Sequence, residues 1–168
     1  MTNGRTRSPH SVADYILCAV RDGLVQANRD DIQRAYVAAG SIAWDDCCGM
    51  LVAAPERVYR SIVFPGEFTE REICDLGWLN VDLVVLLVRC VPVVDDRGRA
   101  PSQQALDESY KSLLEDSGVV WNVLQCLSMP DDWEKANLSQ QFVGADGGCV
   151  GVETRITVGV PVSKWGVS

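Results

Sequence analysis

One stretch constrains this chain more than any other: Leu79–Val91, LNVDLVVLLVRCV. Its middle is apolar at successive positions, so a strand built from it is hydrophobic on both faces. Such a strand has to sit inside a sheet with material packed on each side. Pro92 ends it, because proline cannot donate to a central ladder. Cys149–Val160 differs: Val150, Val152, Thr154, Ile156, Val158 and Val160 alternate with Gly, Glu, Arg and Thr. That pattern predicts an amphipathic strand with one solvated face.

Helical spacing surrounds these strands. From Ser11, the positions Val12, Tyr15, Ile16, Ala19, Val20 and Leu24 form one apolar face that fades near Asn28. Ser11 and Asp14 resemble a capping box in which Asp replaces Glu. Ser102 is the expected cap of a second helix through Ala105, Leu106, Ser109, Leu113 and Leu114, with Asp107 and Glu108 complementing its dipole. Gly118 is expected to bend or break that helix before Val120, Leu124 and Leu127 resume the stripe, and residues 129–132 stop it. Arg34–Ala38 reads as a short strand. Met50–Phe64 reads as a longer strand or hairpin interrupted at Ala54-Pro55, followed by a loop from Pro65 to Gly77.

The order predicts an α+β fold: a single mainly antiparallel β-sheet flanked by an N-terminal helix and a long helix before the last strand. Residues 1–10 are expected to be a flexible arm, 11–160 the single domain and 161–168 a C-terminal tail. A chain of 168 residues suits one domain, and 47% hydrophobic residues exclude a mostly disordered chain. No apolar run reaches the roughly 18–20 residues that span a bilayer. The N-terminus has no apolar core after its arginines, so no signal peptide is expected. The net charge of −8 opposes a grip on nucleic-acid phosphates.

Seven cysteines lie at 18, 47, 48, 74, 90, 126 and 149. An odd count without a secretion signal speaks against a disulfide framework. Cys18, Cys90 and Cys126 fall in apolar segments and are expected to be small core hydrophobes. There is no CxxC, and the single histidine, His10, lies in the polar N-terminal tail. Neither a metal centre nor a Cys–His couple is expected. Phosphate-loop motifs are missing, and the glycine-rich run 144–151 reads as a turn entering the last strand. The densest polar cluster, Trp44-Asp45-Asp46-Cys47-Cys48-Gly49, reads as a strand-to-strand corner in preference to a carboxylate–thiolate metal site. No catalytic residue, metal or cofactor is expected, and the chain reads as no enzyme. Trp78, Trp133 and Trp165 fall in or beside predicted loops, where exposed aromatics point to protein interfaces.

Three runs carry a resemblance: GSIAWDDCCGMLVAAPERVYRS; LVVLLVRCVPVVDDRGRAPS with the helical ALDESYKSLLED; and GADGGCVGVETRITVGV. They resemble neck proteins of long-tailed actinobacterial phages, the tail terminators or head-to-tail connectors. The resemblance spans roughly residues 11–160, and WDDC, RCxPxxDDRGxxPS and GGCVG are its most specific parts. It implies a tail-terminator-like fold and a ring, usually a hexamer, that caps the tail tube, ends tail polymerisation and docks on the head connector. It further implies further copies of the chain, the major tail-tube protein and a head-completion or stopper protein as partners. DNA would pass through without specific binding, no membrane would be involved, and the protein would sit in the virion after assembly in the host cytoplasm. Interface residues are then expected at Trp44, Asp45, Asp46, Phe68, Trp78, Trp133 and Trp165. Glu67, Glu70, Glu72, Asp95 and Asp96 either face the lumen or keep the free subunit soluble. Competing readings are a head-completion adaptor or stopper of the same neck, a small intracellular enzyme with a Cys/Asp site at 45–48, and a regulator that binds a host protein through exposed tryptophans.

Overall fold

A strand that is apolar on both faces needs a neighbour on each edge and a layer on each side. The computed structural model, which describes residues 8–40, 42, 49–61, 77–130, 133–146 and 148–162, supplies the two neighbours and a helical layer on one side. β3 (Trp78–Cys90) pairs antiparallel with β2 (Met50–Ser61) on one edge and with β5 (Cys149–Pro161) on the other. β4 (Glu134–Asp146) lies antiparallel beside β5, and the short β1 (Arg34–Val37) runs parallel to β2. The sheet order is β1-β2-β3-β5-β4, so three of the four pairings are antiparallel. Two helices, α1 (Pro9–Gln26) and α2 (Gln103–Cys126), pack on one face. The fold is α+β, as expected from the order of patterns.

Alternation along β3 divides the core. Val81, Leu83, Val85 and Leu87 meet Ile16, Val20 and Leu24 of α1 and Leu113, Val120 and Leu124 of α2. Leu86 and Val88 point the other way and pack with Met50, Val52 and Cys149. Each such side chain contributes about 1.5–3 kcal/mol on burial, so this double-sided strand is the largest apolar term in the fold.

Local chemistry shifts several expected boundaries. α1 starts at Pro9, two residues before Ser11, because Ser8 is the true cap. Ser8 and Ser11 form the capping box, Ser11 N–H donating to Ser8 Oγ at 3.3 Å and Ser8 N–H to Ser11 Oγ at 2.8 Å. Pro9 fits the first helical position, where its missing N–H has no partner to lose. His10 therefore lies in the first turn of α1 and not in a tail. α2 runs unbroken through Gly118, from its cap at Ser102. A mid-helix glycine costs about 1 kcal/mol against alanine, less than the burial of Val120 and Leu124 returns. At the far end of α2, Lys135 Nζ donates to the carbonyls of Leu124 (2.8 Å), Gln125 (2.5 Å) and Leu127 (2.8 Å). Those carbonyls have no partner within the helix, and the ammonium also complements its negative end.

β2 is one continuous strand: a bulge between Pro55 and Arg57 absorbs the proline. β4 was not expected from the sequence at all. β5 is an interior strand, so its predicted solvated face is mostly covered, and Gly151 and Thr157 are buried. The cysteines also depart from expectation. Cys18, Cys90 and Cys126 are exposed, whereas Cys149 is buried and disulfide-bonded. Apolar periodicity located these segments correctly but did not fix which side of each element the cysteine takes.

The two helices touch most closely where α1 has Gly23. A Cβ built there would collide with Val123 Cγ2. Gly23→Ala is therefore expected to destabilise the protein by about 1–3 kcal/mol, an overpacking cost that outweighs alanine's better helix propensity. Adding Val123→Ala should recover part of that loss in urea unfolding, since contacting positions couple. Additive losses would exclude the collision as the cause.

Candidate functional site

Three charged residues remote in sequence converge where both helices meet the end of β3. Arg29 follows α1, Arg89 is the penultimate residue of β3, and Asp116 lies on the buried side of α2. Arg29 Nη1 reaches Asp116 Oδ1 at 3.1 Å, and Arg89 Nε reaches Oδ2 at 3.0 Å. Arg29 Nη2 also pairs with Glu115. Arg89 donates in addition to the carbonyls of Asp31 (2.5 Å) and Arg29 (3.0 Å). Asp116 is only 1% exposed, so both its oxygens are satisfied by guanidinium groups in place of water. The hydrogen bond to Glu115, then the one to Asp116, raises the Arg29 pKa against the opposing effect of burial.

This clamp lines a cavity of about 620 Å³ together with Asn28, Gln33, Ser109 and Ser112. Gly49 forms part of the wall at φ +76°, its carbonyl accepting from the N–H groups of Gln33 (2.8 Å) and Arg34 (3.2 Å). A Cβ at Gly49 would collide with the Asp31 carbonyl, so glycine is required there on two grounds. Chemically the cavity holds two arginines, Arg29 and Arg89, against two carboxylates, those of Asp31 and Asp116. Ser109 Oγ donates to Ala105 O at 2.8 Å, which leaves it unpaired with any base. Among the described residues, no three His, Cys, Asp or Glu side chains are grouped to hold a metal ion. The arrangement ties three elements together; it does not assemble a nucleophile and a base.

The sheet face away from the helices ends in a second charged band. Arg57 bridges to Asp82 at 2.8 Å and lies 4.4 Å from the Tyr59 ring centroid, while Thr157 Oγ1 donates to Asp82 at 2.7 Å. Arg155 pairs with Glu56 and, at 3.4 Å, with Glu153. Both signs are interleaved, so the band is a compensated network and not a field of one sign.

Of the interface residues read from sequence, Trp78 and Trp133 are described, and both are half-buried. Trp78 lies across Gly159 on the sheet face opposite the helices, beside a cavity of about 220 Å³ shared with Asn80, Glu134 and Thr157. Trp133 packs edge-on against Tyr15, 5.9 Å between centroids, on the helix side, and its buried Nε1–H lacks a hydrogen-bond partner. The two are not brought together. Asp95 is committed to its own turn, accepting from the N–H groups of Arg97 (2.9 Å) and Arg99 (2.8 Å) and from Arg99 Nε (3.2 Å). Asp96 is exposed. Trp44, Asp45, Asp46, Phe68, Trp165, Glu67, Glu70 and Glu72 lie outside the described residues. Sequence reasoning missed the Arg29–Asp116–Arg89 clamp. Its one local signal is an aspartate three residues after Leu113 and four before Val120, on the apolar stripe of α2. No helix among the described residues is long and apolar enough to cross a membrane. The chain matches no protein-family model and no curated protein.

Removing one member of a buried ion pair leaves the other uncompensated. Asp116→Ala is expected to cost about 3 kcal/mol in urea unfolding, more than Arg29→Ala, because Arg29 retains access to water. Equal losses would show that Asp116 is not the centre of the clamp. Asp95 gives a pH dependence. The N–H of Arg99, ahead of that of Arg97, lowers its pKa against desolvation. Its contribution to stability is therefore complete above the usual aspartate range and is lost as pH falls through the lower folded value. Carboxyl chemical shifts should place the Asp95 midpoint below the ordinary aspartate value, and Asp95→Asn should flatten the acid limb of the stability curve.

Proposed function

We propose that this chain is a structural subunit of a long-tailed phage neck, forming a ring that caps the tail tube, ends its polymerisation and joins it to the head connector. The observation that carries the reading is where one of the three most specific runs of the resemblance falls. RCVPVVDDRGRAPS is the whole connection from β3 to α2. Arg89 enters the Asp116 clamp, Asp95 ties the turn, Gly98 takes φ +73° within it, and Ser102 caps α2. Each of these residues holds shape, as expected where selection acts on a rigid assembly part and not on a reacting group.

A ring subunit needs two different flanks, one meeting the other on the next copy. The short parallel edge at β1 can supply one of them. The net charge of −8 suits a conduit wall that must not retain phosphates as DNA passes.

A phage deleted for this gene is expected to produce full heads and separate tails of irregular length. Joined tails of normal length in its absence would sink the reading. Rings of six, seen by electron microscopy of the purified chain or of tail ends, would favour a tail terminator. Rings of twelve would move the protein to the head-completion side of the neck.

A further inference from the structure

The helix layer does not reach the β4 edge. Five strands at about 4.8 Å span roughly 24 Å, whereas two helices about 10 Å across cover roughly 20 Å. α1 packs on β1 and β2, and α2 on β5 and β4, so the uncovered strip runs along the outer side of α2. Phe142 pairs with Val152 and so faces the helix side of β4, yet it is 54% exposed. On α2, Leu114 is 55% and Tyr110 41% exposed, and half-buried Trp121 continues the same stripe. Gly118 lies within it. Among the described residues nothing explains that glycine: its conformation is helical, and a Cβ there would meet none of their atoms within 4 Å. A weak helix former between exposed apolar residues marks a place where another backbone comes close.

Two further observations point to what approaches. Gln140 Nε2 donates to Ser117 O at 2.9 Å, which sets Gly118 next to the middle of β4. Around Gln140 the strand reads the same in both directions: Leu138 and Phe142 on the helix side, Ser139 and Gln141 on the other. An antiparallel pairing of β4 with itself about Gln140 places Leu138 opposite Phe142 of the second copy. The same rotation turns α2 against its own image about Gly118, bringing Leu114 opposite Asn122, next to Trp121. From Leu138 to Gly144 the strand has no charged side chain, in a chain of net charge −8. Along this stretch of β4 no charge opposes a second copy.

We propose that the α2–β4 flank binds a second copy of this chain, through a two-fold axis passing beside Gln140 and Gly118. The paired β4 strands join two sheets into one of ten strands, and the two α2 helices lie antiparallel above the join. A two-fold contact is complete at two copies and does not propagate. The association is therefore separate from ring closure and stands independently of the neck reading.

The test is sedimentation of the full chain over a wide concentration range. A shift toward twice the 18.4 kDa chain mass is expected as concentration rises. Phe142→Asp and Leu114→Asp should each weaken pairing by about tenfold or more, with circular dichroism and unfolding midpoint preserved because both side chains are exposed in the single chain. Gly118→Arg should do the same by blocking the helix approach. A chain that stays single at every concentration would overturn the proposal. So would a dimer or larger ring indifferent to all three substitutions. A different protein bound at this flank while the chain itself stays single would also overturn it. None of these outcomes bears on the phenotype of the gene deletion, so the two proposals fail separately.

Discussion

The middle of β3, Leu83–Val88, has no face it can show to water. Every other element is placed by the need to cover it. Its odd-numbered side chains require the two helices, and its even-numbered ones require Met50, Val52 and the start of β5. Its two edges require β2 and β5, which leaves β1 and β4 as the rims of the sheet. The hydrophobic effect accounts for this layering, but it is non-directional and says nothing about where along the sheet each helix stops.

That positional information comes from polar contacts spaced along α2. Ser102 satisfies its first turn and Lys135 its last, while Asp116 anchors its middle to Arg29 and Arg89. Each links α2 to a different part of the chain: the turn after β3, the start of β4, and the exit from α1. Replacing such a network by apolar groups is often nearly neutral for stability. What it supplies here is a fixed register between helix and sheet.

Much of this was legible in the sequence because the strongest patterns are local. α1, β3, α2 and β5 each announce themselves by periodicity, and the α+β class follows from their order. β4 does not. EKANLSQQFVGAD puts Leu138, Gln140 and Phe142 on one side, too polar to read as alternation, and Asn137 at φ +55° interrupts the pairing near its start. Gly118 misled in the opposite direction: its penalty is local, whereas the burial that overrides it is tertiary. The cysteines show the same gap, since the spacing places Cys18 and Cys126 in helices but not on their solvent sides. The clamp was illegible for a more basic reason. Arg29, Arg89 and Asp116 lie in three separate elements, and no local pattern encodes their meeting.

The bulge in β2 has a consequence for how this gene can lose or gain codons. Pro55 pairs with Leu83 and Arg57 with Asp82, so Glu56 is a residue the ladder does not count. Beyond it Arg57 and Tyr59 emerge on the charged face while Val58 turns toward Val81. Excising Glu56 would leave every pair on either side in its present register and on its present face, at the cost of one surface partner for Arg155. In a strand where a single slip otherwise exchanges inside for outside, that position is a built-in tolerance for length change.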